Sequence, residues 1–411
     1  MKIKTLSLIV LFALLLGCAP VQTATPTAAP SAVPKVTATS VPSTLTPTFT
    51  LTPLPSATAT PTETPIPTIS LDFTVWTTDP VVPIILYHQF ITTNTNVSTV
   101  MKVRLDDFQK RLQELYDSGY TLVRLEDWLT GQLQVPAGRR PLILSMDDVY
   151  TNYQMALLPD GSPSPKTGIG ALWQFSQAHP DFGFHVALFT NLNLPFDNPD
   201  NPDKELVKAR AIVWCIEHDA IPYNHLWGHP NLSITLAKDI PEVAQKNDAA
   251  LRKYLHMLNR DDLVAKVANI IALPEGLWPG TKEGVKALLD YHNPEGKPLL
   301  AVMEAMTPYD FLLLKIPKYL QPPYAAGFAP FHIPRTDGSP LVVDYLTKNK
   351  DQFPVAQACT LTGIEIQHQA DLAYLKQRLQ SNRGACPDGV YVLKGMIFRV
   401  SAAGVELLYP K

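Results

Sequence analysis

The chain has 411 residues, 34 Lys and Arg against 37 Asp and Glu, and a net charge of −3 with the two signs interspersed along its length. That balance leaves no basic stripe for a phosphate backbone, so nucleic-acid partners are excluded on charge grounds. The part without low-complexity composition, roughly Leu71 to Lys411, is long enough for a large core of one domain, or of a domain with a small appendage.

In chain order, Lys2 and Lys4 precede an apolar run from Leu6 to Leu16, the layout of a secretory signal and too short to span a bilayer comfortably. The run ends in Leu15-Leu16-Gly17-Cys18, which resembles the bacterial lipobox and implies cleavage before Cys18 and its acylation. Residues 19–70 are dominated by Pro, Thr, Ser and Ala, with Lys35 and Glu63 as the only charges. Such a stretch cannot bury enough apolar surface to offset ordering entropy, and its Thr-Pro steps favour an extended stalk. The expectation is an extracytoplasmic protein, lipid-anchored to a bacterial cell membrane.

The globular part opens with Val81 to His88, an apolar β-branched run with the pattern of a buried strand. Leu105, Phe108, Leu112, Leu115 and Tyr116 recur at helical spacing up to Gly119. Tyr120 to Val123 reads as a strand, Asp127 and Trp128 as the start of a short helix, and Pro141 to Met146 and Phe184 to Thr190 as strands. A helix is expected from Asp248 towards Ile271, leading into a strand at Ile270 to Leu273, with Pro298 to Met303 as the next strand. This alternation predicts an α/β fold with a parallel sheet or barrel. After about Asp351, a helix over Leu372 to Leu379 and a hairpin around Lys394-Gly395 indicate a small extension. The organisation read here is a signal over 1–18, a disordered linker over 19–70, a catalytic domain over 71–350 and an extension over 351–411. Of the four cysteines, Cys359 and Cys386 are the candidate disulfide, and Cys215 is a buried free thiol.

Two motifs carry chemistry. Asp147 and Asp148 end the apolar run Leu142 to Met146, and His225 and His229 stand four apart in Asn-His-Leu-Trp-Gly-His-Pro. Histidines at that spacing reach one ion from the same side of a helical turn. One carboxylate and two imidazoles leave a divalent metal open positions for water and substrate, while a second carboxylate remains free to take a proton.

With Ser-Met-Asp-Asp-Val at 145–149 and Asn-His-Leu-Trp-Gly-His at 224–229, the chain resembles the polysaccharide deacetylases, the NodB-homology group of carbohydrate esterases, over about residues 80 to 340. The resemblance implies a distorted (β/α) barrel, with Asp147 as the catalytic base and Asp148, His225 and His229 as ligands of a divalent metal, zinc being the first candidate. Leu86-Tyr87-His88 is similar to the opening of members that act on poly-N-acetylglucosamine, in which the motif order is permuted, and makes His88 the candidate general acid. The implied reaction removes N-acetyl groups from an acetylated amino-sugar glycan, and Tyr150 and Trp227 are candidate rings for stacking on sugars, with a place in the core as the alternative for either. Three features depart from the family. Val149 stands where a glycine is usual, and a β-branched residue is poorly suited to positive φ. Leu273-Pro274-Glu275-Gly276 lacks the arginine that orients the base; Arg335 is the candidate to replace it at the substrate pocket, with an ordinary surface position as the alternative. Insertions at Asp160 to Thr167 and Asn198 to Asp203 stretch the motif spacing. The alternative functions are a catalytically silent glycan-binding lipoprotein and an O-acetyl esterase.

Overall fold

The computed structural model describes residues 66–92, 101–150, 154–194, 203–308 and 320–410. Cys18, the signal segment and nearly all of the expected stalk lie outside them. No helix among the described residues is long and apolar enough to cross a membrane.

Strand β1 (Thr68–Trp76) begins inside the stretch expected to be stalk, and β2 (Ile84–Tyr87) follows it. Next come a two-strand pair, β3 (Gln89–Ile91) and β4 (Lys102–Arg104), then α1 (Leu105–Asp117), β5 (Tyr120–Leu122) and α2 (Leu125–Leu129). Helix α1 buries Phe108, Leu112 and Leu115 on one face, carries Asp106 and Asp107 in its first turn, and is followed by Gly119 at φ 83°, as its spacing predicts. The chain continues through β6 (Arg140–Asp147), α3 (Gly168–Ala178), β7 (Val186–Thr190), α4 (Lys204–Glu217), β8 (Ala220–Asn224) and α5 (Ile240–His256). After these come β9 (Ile270–Ala272), α6 (Lys282–Leu289), β10 (Ala301–Met306), β11 (Ile333–Asp337) and α7 (Pro340–Lys348).

Strand β6 shows why the sheet is central. Seven of its eight residues are buried, because a parallel strand covered on both faces has no solvated side. Strands β2 and β5 to β11 form one sheet in the order β2-β11-β10-β9-β8-β7-β6-β5, and β2 also pairs with β6. All these pairings are parallel. The second pairing of β2, from Ile84↔Ile143 to Tyr87↔Met146, closes the sheet into a barrel and leaves β5 beside it on the earlier half of β6. This is the distorted (β/α) barrel expected from the sequence. One segment differs: the helix expected over Asp248 to Ile271 starts earlier, at Ile240 with Pro in its first turn, and ends at His256, a 3₁₀ stretch at Asp261–Lys266 following it.

The remaining strands, β12 (Gln357–Glu365), β13 (Gly389–Leu393), β14 (Met396–Ser401) and β15 (Gly404–Tyr409), make a five-stranded antiparallel sheet with β1, in the order β12-β1-β13-β14-β15. The hairpin turn expected at Lys394-Gly395 has positive φ at both residues, the backbone that a tight two-residue turn requires. One apolar face of this sheet packs with Leu375 and Leu379 of α8 (Leu372–Ser381). From its other face Trp76, Val390, Val392 and Ile397 join the core beneath the barrel, alongside Leu133 and Val135. Cys359 and Cys386 form a disulfide with Cα atoms 5.9 Å apart, and Cys215 is a buried free thiol that burial pushes up to about 12. A bridge closing a loop of this length restricts the unfolded chain by about 3 kcal/mol.

Candidate active site

The barrel strands run parallel, so their carboxyl ends open at one mouth, where β6 delivers Asp147 and Asp148, β8 leads into His225 to His229, and β2 leads into His88. One Asp148 oxygen and one nitrogen each of His225 and His229 lie within 4.8 Å of one another, a spread that small side-chain rotations bring onto one ion. The His225 ring is buried and its Nδ1 is 3.0 Å from the Ala272 carbonyl oxygen. Donation of the Nδ1 proton to that carbonyl leaves Nε2 as the free lone pair. Burial depresses the pKa of His225 against the opposing pull of Asp147 and Asp148, so the ring is neutral near pH 7, as a ligand must be. By donor chemistry, one carboxylate and two imidazoles fit a divalent ion such as zinc.

Asp147 is 3 % exposed and bound in a fork by Arg335, whose Nη1 donates to Oδ1 at 2.6 Å and Nη2 to Oδ2 at 3.0 Å. Burial alone would raise this carboxyl; Arg335 first, then His225 and His88, hold it down at about 2. Oδ2 faces His225 Nε2 at 3.7 Å and His88 Nε2 at 4.0 Å. Asp147 therefore stands between the Asp148, His225 and His229 group and His88, with its charge fixed and its plane set.

Arg335 stands beside Asp147, as the substitute for the missing arginine would, and the structure corrects the substrate-pocket and surface readings of it. It is fully buried, lies over the Phe189 ring with its guanidinium carbon 4.6 Å from the centroid, and spends its fork on Asp147. It fixes the plane of the Asp147 carboxylate and, fully buried, is not exposed at the mouth. Tyr150 is also corrected: at 1 % exposure it belongs to the core near Cys215, and no sugar could lie on it. Trp227 is partly buried on the loop between the two histidines. Val149 is buried, while the positive φ angles fall on its neighbours Asp148 and Tyr150, so the β-branched residue sits where it is tolerated. The expected insertion at Asn198 to Asp203 lies outside the described residues except for Asp203, whose side chain caps α4.

Sequence reasoning missed Gln154. It is fully buried, and its Nε2 donates to the main-chain oxygens of both His88 and Asp147, the latter at 2.8 Å, tying the ends of β2 and β6 together. Ser145, two residues before Asp147, donates to the Ile85 carbonyl at 3.0 Å across the same pair. Neither residue carries a spacing signal.

No protein-family model matches the chain, and no curated protein does. Solved structures do. The chain is similar to the Streptococcus pyogenes deacetylase PplD in complex with acetate at 13 % identity and a TM-score of 0.42, over 67 % of this chain and 98 % of that one. It is similar to BC0361, a polysaccharide deacetylase from Bacillus cereus, at 15 % identity and 0.42, over 66 % and 69 %, and to IcaB from Ammonifex degensii at 13 % and 0.41, over 66 % and 98 %.

Proposed function

We propose that the protein is a metal-dependent deacetylase that hydrolyses the N-acetyl group of an amino sugar in a glycan, as its motifs imply. The observation that carries this reading is the placement of Asp147, held as an anion by Arg335, within 4.0 Å of His88 and 3.7 Å of His225 of the ligand cluster. A divalent ion on Asp148, His225 and His229, zinc being the first candidate, would polarise the acetyl carbonyl and acidify a water. Asp147 accepts the proton of that water as its oxygen attacks the carbonyl carbon. His88, on the other flank of Asp147, gives a proton to the nitrogen as the C–N bond breaks, so acetate and a free amine leave. Each of these proton transfers is commonly worth on the order of 10² to 10⁴ in rate.

The two sequence departures that favoured a silent binding protein are accounted for, since Arg335 fills the arginine's role and Val149 keeps an unstrained backbone. The test is acetate release from N-acetylglucosamine oligomers by protein of measured metal content, with matched O-acetylated substrates beside them. The expected result is about one zinc or cobalt ion per chain and release from the N-acetyl series. A metal-loaded protein that releases acetate from neither series sinks the enzyme reading, and release from the O-acetyl series alone makes it an esterase.

The lipobox resemblance supports attachment to the outer face of a bacterial membrane through acylated Cys18, where the substrate would be an envelope or extracellular glycan. Labelled palmitate should be incorporated into the protein and Cys18→Ser should release it from membranes; a Ser variant that stays membrane-bound counts against the anchor.

A further inference from the structure

The loop that carries the two histidines does not hold its own shape. Leu226, Gly228 and His229 all have positive φ, at 59°, 80° and 51°, a backbone that persists only when its surroundings impose it. The impositions can be traced. His225 N donates to the Thr190 carbonyl at 3.1 Å, Gly228 N to Asn191 Oδ1 at 3.1 Å, and Leu226 N to Asn224 Oδ1 at 2.8 Å. Two of these three acceptors belong to Thr190 and Asn191, consecutive residues at the end of β7.

That segment is itself clamped. Asn247 on α5, 2 % exposed, donates from Nδ2 to the Thr190 carbonyl at 2.8 Å and accepts at Oδ1 from Leu192 N at 2.8 Å. One side-chain amide thus satisfies the main chain on both sides of Asn191, as a neighbouring strand would. Buried Lys208 adds bonds from Nζ to the Leu192 and Leu194 carbonyls at 2.9 and 2.8 Å. The Thr190 oxygen is shared: it receives both the Asn247 amide and the His225 N–H.

We propose that Asn247 is a positioning residue for the metal site, setting the backbone of Thr190–Leu192 and, through Thr190 and Asn191, the loop that presents His225 and His229. The inference rests on the reading that those histidines hold a metal. A side-chain amide is specifically required, because the site needs one donor and one acceptor in fixed places. Asn247→Asp keeps the bond to Leu192 N but turns a second oxygen towards the Thr190 carbonyl, which moves the acceptor that His225 N uses.

The experiment measures zinc affinity of the full chain by competition with a chromophoric chelator, and the visible absorption of the cobalt(II) form, for the parent, Asn247→Asp and Asn269→Asp. Asn269 is the control: it is another buried amide, donating to the Tyr291 and Lys297 carbonyls before the start of β9. Asn247→Asp should weaken zinc binding roughly 10- to 100-fold, the usual effect of losing support behind a ligand, and alter the cobalt spectrum, while Asn269→Asp lowers thermal stability and leaves both unchanged. If Asn247→Asp does not fold, Asn191→Leu and Asn191→Asp replace it. The leucine removes the acceptor for Gly228 N and should weaken binding, whereas the aspartate retains an acceptor oxygen there and should restore it to within a few-fold. Parental affinity and spectrum in Asn247→Asp or Asn191→Leu, or an equal loss in Asn269→Asp, overturns the positioning role. A parent that takes up neither zinc nor cobalt overturns the metal reading on which it stands.

Discussion

Asp148→Asn should lose bound metal and activity together, whereas Asp147→Asn should keep the metal and lose at least about a hundredfold in turnover. The two carboxylates are adjacent but differently engaged. Asp148 belongs to the cluster whose ligand atoms lie within 4.8 Å of one another, while both oxygens of Asp147 are taken by the Arg335 fork. Removing a proton acceptor lowers the chemical step without altering ligation, and the expected loss is on the order of 10² to 10⁴. Metal analysis and acetate release on the same preparations read both effects. Parental turnover in Asp147→Asn refutes its assignment as the base; full metal content in Asp148→Asn refutes that residue's assignment as a ligand.

Arg335→Met should strongly destabilise the barrel. It leaves a buried carboxylate without its counter-charge, and breaking a buried pair from one side commonly costs about 3–5 kcal/mol. The cost should be visible as a lower midpoint in denaturant with an unchanged slope. Adding Asp147→Asn to Arg335→Met should recover much of that loss, because the charge left unpaired is then gone. A double variant no more stable than Arg335→Met alone would show that the arginine's packing on Phe189, and not its charge, dominates. Arg335→Lys should fall between, since an ammonium cannot reproduce a two-pronged contact.

The local signals were legible. Helix α1 ends where Gly119 forecasts it and the Asp pair closes a buried strand, each from neighbours a few residues apart; the spacing picked out two histidines that lie together with Asp148, but the helical turn expected to present them is a loop with positive φ at Leu226, Gly228 and His229. What was not legible depends on distant pairs. Arg335 lies 188 residues beyond Asp147, and only the Arg-in, Pro-out alternation of β11, once it is known to be a barrel strand, shows that its side chain enters the mouth. In the sequence Tyr150 is open between a sugar platform and the core, and its place two residues after Asp148 does not decide between them; its 1 % exposure does. Gln154, Asn191 and Asn247 act through main-chain groups, and an amide that serves a backbone leaves no pattern in composition or period.

The first strand of the folded part has partners that are synthesised last. β1 lies between β12 and β13, from Thr68↔Glu365 on one side to Trp76↔Val390 on the other, and β2, which pairs with β6 on one edge, meets β11 at Thr336 and Asp337 on its other edge. During synthesis, therefore, β2 can pair with β6 early, but both edges of β1 and the β11 edge of β2 must wait while more than two hundred and fifty residues emerge, and neither the underside nor the β2–β11 seam of the barrel can form before then. Folding of this kind is dominated by non-local contacts and is slow. A chain cut at 350 would not be a free-standing catalytic unit: it would carry β1 with both edges bare and Trp76 without the β13 and β14 side chains that join it in the core. Anyone seeking a shorter version should trim from the amino terminus, up to Ile66, and keep the carboxyl-terminal sixty residues whole.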